Sequence, residues 1–192
     1  HVPQTEEARA EARELLGVSK NLSTPKNGEI LVAATQDFLT CSYLLTSKDV
    51  FLTRQEVCRL ASYFTDIQHQ AEFVLDLPAP ALIKPMPMWT GKQMFSLLLK
   101  PSASDTTAVM LETKERMFGS LARDDEGSVE PCMDLADGCV IFRSSDLVCG
   151  RLGKVSLGGG SKTGLFQVLS TDYGPKSAVT VMNRLARLSA KM

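Results

Sequence analysis

Residues 21–46 read NLSTPKNGEILVAATQDFLTCSYLLT. Pro25-Lys26-Asn27-Gly28 has the chemistry of a tight turn, because proline fixes φ and glycine accepts the left-handed region. The short apolar run 30–34 that follows predicts a buried strand. Across 36–45, Phe38, Leu39, Tyr43 and Leu44 recur at three- to four-residue steps, which predicts a helix with one face on a core. Turn, strand and helix in such close succession predict an α+β fold of short helices with small mixed or antiparallel sheets.

Upstream, residues 1–4 read as the end of a strand. Thr5 can cap a helix over 6–16, Glu6 and Glu7 suit its first turn, and Gly17 offers a left-handed stop. Its stripe of Ala8, Ala12, Leu15 and Leu16 is weakly apolar, which predicts a helix lying on a surface or a partner. Downstream, Thr53-Arg54-Gln55-Glu56 is a capping box ahead of Val57, Leu60, Ala61 and Phe64. Pro78, Pro80, Pro85 and Pro87 force an extended connector over 77–88. Thr90-Gly91-Lys92-Gln93 opens a short helix that turns Met94, Phe95 and Leu97 to Leu99 inward. The second half predicts strands over 108–111, 139–143 and 147–152, the last two joined across Ser144-Ser145-Asp146. Helices follow over 162–169 and 176–188, the latter with Val179, Met182, Leu185 and Leu188 on one stripe. The connector and the glycines suggest three stretches: 1–76, 77–160 and 161–192.

With 192 residues and 44% hydrophobic composition, the chain can bury one core. No window reaches the roughly 18 apolar residues that a membrane span requires. Cys41, Cys58, Cys132, Cys139 and Cys149 form no C-x-x-C pair and the histidines are His1 and His69, so a structural zinc site is not predicted. The same scarcity of bases leaves the cysteines without a partner for nucleophilic catalysis. A net charge of −1 argues against a free-standing nucleic-acid binder. That sum conceals an asymmetry: residues 101–150 carry ten acids and four bases, whereas 151–192 carry seven bases and one acid. The basic end is suited to phosphate, to an acidic neighbour, or simply to water.

Three blocks are candidates for chemistry. Gln36 and Asp37 stand at a helix mouth, where a glutamine amide can bond a ribose hydroxyl or a base edge without adding charge. Lys84-Pro85-Met86-Pro87-Met88-Trp89-Thr90-Gly91-Lys92-Gln93 holds the single tryptophan, expected to anchor the connector, and two lysines expected to be exposed cations. Leu157-Gly158-Gly159-Gly160-Ser161-Lys162-Thr163-Gly164 could present amides to a phosphate. Its spacing fails both the P-loop and the G-x-G-x-x-G patterns, so a plain turn is the stronger reading.

These blocks, in this order, resemble the largest subunit of multi-subunit RNA polymerases. The N-G-E turn followed by Gln36-Asp37 and the K-P-x-x-L-W-[ST]-G-K-Q pattern over 84–93 carry the resemblance. Among the eukaryotic enzymes it leans to RNA polymerase III, through QDFLT with SYLLT, the W-T-G-K-Q form and MNRLARL over 182–188. The similarity weakens over 101–137. Cys41 stands where the family usually has glycine.

The resemblance implies the pore domain of that subunit, with the first turns of the funnel. It implies that His1 follows on the family's NADFDGD loop, so the Mg²⁺ of the assembled enzyme is held by aspartates outside this chain and the fragment alone is inactive. Near the nucleotide and the RNA 3′ end it implies Gln36 and Asp37, with Asn27 and Gly28 shaping the approach. Lys84 and Lys92 become basic residues of the pore wall. Other polymerase subunits, nucleoside triphosphates, the RNA 3′ end and template DNA are the implied partners, and the nucleus the implied location. A scaffold module that binds other subunits without touching nucleotide is the alternative; it predicts a buried, fully bonded Gln36.

Overall fold

The computed structural model describes residues 2–64, 75–102, 104–117 and 136–192. These form seven α-helices, a short 3₁₀ turn and two small antiparallel sheets, as the α+β expectation requires. His1, His69 and Cys132 lie outside the described residues.

Helix α1, Glu6–Glu14, is capped by the Thr5 hydroxyl, which accepts from Ala8 N at 3.2 Å. It buries none of its residues. It ends earlier than expected, and Gly17, at φ −56°, is no left-handed stop but opens the 3₁₀ turn Val18–Lys20. The Pro25–Gly28 turn forms as read: Gly28 sits at φ +72°, Gly28 N donates to Thr24 O, and Asn27 Oδ1 accepts from Glu29 N.

The buried strand expected over 30–34 is not one. Ile30 makes an isolated bridge to Ser23 and is buried, but Leu31 is 67% exposed. Backbone bonds from this segment go to three places: Leu22, Gly160 and Leu157. A strand needs one continuous partner, and none is offered here.

Helix α2, Asp37–Leu45, follows. Strand β1, Phe51–Thr53, runs straight into α3, Arg54–Ala61, and β2, Met88–Thr90, runs straight into α4, Gly91–Leu99. Both capping boxes close as the sequence predicts, around Thr53–Glu56 and Thr90–Gln93. The strands pair antiparallel with Leu52 opposite Trp89, a sheet the periodicity did not show because each strand is three residues long. Trp89 is buried and donates from Nε1 to Pro78 O at 2.8 Å, anchoring the proline connector. Gly91 is required for contact: a Cβ there would stand 1.8 Å from Leu45 O, so only glycine lets α4 start against the end of α2.

Strands β3 (Leu111–Lys114), β4 (Cys139–Arg143) and β5 (Asp146–Cys149) form the second sheet in chain order. β3 starts later than read, because 108–110 run outside the ladder. The β4–β5 hairpin closes on Ser144 and Ser145, both with positive φ, as a type I′ turn requires. Ser145 is buried, with Oγ donating to Thr107 O and accepting from Val109 N. Helices α5 (Lys154–Leu157), α6 (Leu165–Asp172) and α7 (Pro175–Ser189) complete the chain, α6 beginning three residues after its expected start. Among the described residues one core cluster, centred on the almost wholly buried α4, joins Leu22 and Ile30 to Phe95, Phe142, Phe166 and Leu188. It draws on all three stretches suggested by the sequence.

Candidate functional site

Gln36 occupies the N-cap position of α2 with φ 45° and ψ −115°. Its carbonyl accepts from Leu39 N and Thr40 N, and Phe38 N reaches back to Thr35 O at 3.1 Å. That backbone shape is one that glycine adopts freely and a residue with a Cβ holds at a cost on the order of 1–3 kcal/mol. The side chain does nothing to repay it: Gln36 is exposed, makes no side-chain cap and has no side-chain hydrogen bond among the described residues. A strained backbone therefore presents a free amide beside Asp37, which is also exposed.

The loop behind Gln36 is tied to the C-terminal part of the chain. Ala34 N donates to Leu157 O and Gly160 N to Ile30 O, both at 3.2 Å. Gln167 on α6 donates to Gly28 O at 3.1 Å and accepts from Ile30 N at 2.9 Å. This explains the glycine block. Gly158 N is bonded to Lys154 O and Gly160 N to Ile30 O, so those amides are spent on carbonyls and form no anion cradle. An apolar cavity of about 190 Å³ adjoins the loop, lined by Val32, Ala34, Phe38, Phe166, Met182 and neighbouring residues of α7.

α5 is itself held by Glu115, a residue in the stretch where the sequence pointed to nothing. Its buried carboxylate accepts from Gly153 N, Val155 N and Ser156 N at 3.1, 3.2 and 2.8 Å. No local pattern announces this, since donors and acceptor are about forty residues apart.

The two lysines part company. Lys84 is exposed on the proline connector, as expected. Lys92 is not an exposed cation: Nζ meets Asp137 Oδ2 at 2.6 Å, with both side chains only 14% exposed. Asp137 Oδ1 also accepts from Gly150 N. Lys92 is thus a tie between α4 and the residues before β4. Three of the C-terminal bases are engaged within the fold, whereas Lys154, Lys162, Lys176 and Arg187 are exposed. Arg151 donates to Tyr43 Oη at 2.6 Å and lies 4.6 Å from the ring centroid, Lys191 stands over Tyr63, and Arg184 donates to Leu98 O.

Cys41 is buried on α2, where burial pushes its thiol up from the ordinary range and its Sγ lies 3.2 Å from Met192 Sδ. The side chain is accommodated against the end of α7. Among the described residues no group of three or more His, Cys, Asp or Glu side chains is placed to hold a metal ion, so these residues do not fit an Mg²⁺ site.

Residues 21–192 match the family model RNA polymerase Rpb1, domain 3. The DNA-directed RNA polymerase III subunit rpc1 of Dictyostelium discoideum is 46% identical over 191 residues, all of this chain and 12% of that protein. The Saccharomyces cerevisiae DNA-directed RNA polymerase III subunit RPC1 is 45% identical over 192 residues, again all of this chain and 13% of its relative. Its Homo sapiens counterpart is 41% identical over 189 residues, 98% and 13% of the two chains. The chain therefore spans about an eighth of the length of these relatives.

Proposed function

Because the chain belongs to the RNA polymerase Rpb1 domain 3 family, we propose that it is part of the largest subunit of an RNA polymerase III, lining the pore through which nucleotides enter and backtracked RNA leaves. In this reading Gln36 contacts or orients the incoming nucleotide or the RNA 3′ end. Asp37 stands beside it, and the Asn27-Gly28 turn sets the approach of the loop. The observation that carries the reading is the exposed, unbonded amide of Gln36 on a backbone that costs energy to hold. A scaffold element would bury that amide and bond it.

The assembled enzyme transfers nucleotides to the RNA 3′ hydroxyl on a DNA template, in the nucleus, with its other subunits. Its Mg²⁺ is held outside this chain, and the isolated chain is inactive. Lys84 contributes positive charge to the pore wall, whereas Lys92 is neutralised by Asp137. Residues 1–76 carry the barrel edge and first half of the pore region, 77–160 its β-rich lobe, and 161–192 the start of the funnel.

A contact role accompanies this one. Helix α1 buries nothing, and Leu15, Leu16 and Val18 after it are 65–75% exposed, a surface suited to the remainder of the subunit or a neighbour.

The test is Gln36→Ala in the intact polymerase. Slower elongation or altered cleavage of backtracked RNA, with assembly intact, is expected. Unchanged rates for both would sink the nucleotide-facing role.

A further inference from the structure

The segment between the Asn27-Gly28 turn and Gln36 has no regular structure of its own, so its position is set by what grips it. On one side it pairs locally, Leu31 N and Val32 N donating to Leu22 O. On the other it meets the segment 157–167, through the Leu157–Ala34 and Ile30–Gly160 bonds and the amide of Gln167. Gln167 is the one side chain among these tethers. It donates to Gly28 O and accepts from Ile30 N, so a single planar group bonds the backbone on both sides of Glu29, as a neighbouring strand would.

Gln36 cannot hold its own conformation through its side chain, because it makes no cap bond and sits at positive φ. A strained residue keeps such a shape only when the chain on both sides of it is fixed. Helix α2 fixes the far side through Leu39 N and Thr40 N; the near side is fixed by the tethers above.

We infer that Gln167 is a positioning residue that clamps the loop 28–34 to α6 and so sets where the Gln36 amide points. The inference rests on the proposed role of Gln36 for its kinetic consequence, though not for the clamp itself. Displacing α6 displaces the loop, which couples the start of the funnel to the nucleotide-facing amide.

The experiment uses the intact polymerase with Gln167→Ala, Gln36→Ala and the double variant, and with Gln167→Met, which keeps the volume and removes both hydrogen bonds. Elongation is measured across nucleoside triphosphate concentrations, and backbone hydrogen exchange is followed in the peptide covering 28–38. Gln167→Ala and Gln167→Met are both expected to speed exchange in that peptide, by about tenfold. They are expected to raise KM or lower kcat by several-fold, on the order of fivefold, and to add little once Gln36 is already alanine. Wild-type exchange in both Gln167 variants would overturn the clamp. Faster exchange with a kinetic loss that adds fully to that of Gln36→Ala would overturn the positioning of Gln36. Should Gln36→Ala be silent while exchange still rises, the clamp stands and the nucleotide-facing reading alone falls.

Discussion

Lys92 on α4 and Asp137 ahead of β4 form an ion pair 2.6 Å long, and Asp137 Oδ1 simultaneously accepts from Gly150 N at 2.9 Å. The carboxylate thus joins α4, the approach to β4 and the exit from β5. Removing the ammonium alone leaves a largely desolvated carboxylate with one backbone donor. Lys92→Met is expected to cost about 3 kcal/mol in denaturant unfolding, within the range for breaking one half of a desolvated pair. Adding Asp137→Asn is expected to recover part of that loss. A Lys92→Met stability equal to wild type would show that the pair is superficial.

Glu115 satisfies three backbone amides at the start of α5. Glu115→Gln preserves shape but turns an acceptor oxygen into a donor facing N–H groups. A loss of about 2 kcal/mol is expected from the orphaned amides. The same variant is expected to speed hydrogen exchange at Ala34, because α5 supplies the Leu157 carbonyl that Ala34 binds. Unaltered melting would mean the carboxylate can be spared.

Gln36→Gly separates strain from contact. Glycine accepts φ 45°, and no side-chain bond among the described residues is lost, so the fold is expected to gain about 1 kcal/mol and melt at higher temperature. Elongation by the assembled enzyme is expected to slow as it does for Gln36→Ala. A lower melting temperature would indicate that the side chain stabilises the loop after all.

Gly91→Ala places a methyl group 1.8 Å from Leu45 O, where backbone must move on one side or the other. Destabilisation of at least about 3 kcal/mol is expected, since neither helix end can yield without breaking its capping box or its packing. Folding to wild-type stability would contradict the close approach of α4 to α2.

Burial raises the Cys41 thiol, while Cys58 is exposed on α3. Maleimide or iodoacetamide is expected to modify Cys58 first and Cys41 only slowly at neutral pH, through opening of the fold. The sign for stability follows. A folded-state value above that of the unfolded chain means the folded state resists the thiolate, so Cys41 costs nothing below the ordinary thiol range and erodes stability as pH rises through it. Equal labelling of the two cysteines in the folded chain would refute the burial.

Local features were readable in the residues themselves. Thr5, Thr53 and Thr90 cap where the sequence says they do, the Gly28 turn forms with the predicted backbone sign, and the β4–β5 hairpin closes within the expected Ser144-Ser145-Asp146 stretch. Each of these depends on partners within a few positions along the chain. The strand expected over 30–34 failed because an apolar run guarantees neither burial, Leu31 being 67% exposed, nor a continuous ladder partner. The candidate site was half legible: Gln36, Asp37 and the turn before them stood out, but Gln167, Glu115 and the ion-paired state of Lys92 did not.

The sequence by itself determined the starts of α1, α3 and α4, the Gly28 turn and the polymerase resemblance, since all are written in residues close together or in fixed order. Tertiary structure alone decided that Glu115 anchors α5, that Asp137 takes the Lys92 charge, and that Gln167 grips the loop ahead of Gln36. Those pairings span 38 to 139 positions along the chain. Their geometry exists only once the core around α4 has brought the segments together, because hydrogen bonds and ion pairs act over a few ångströms and carry no mark in local composition.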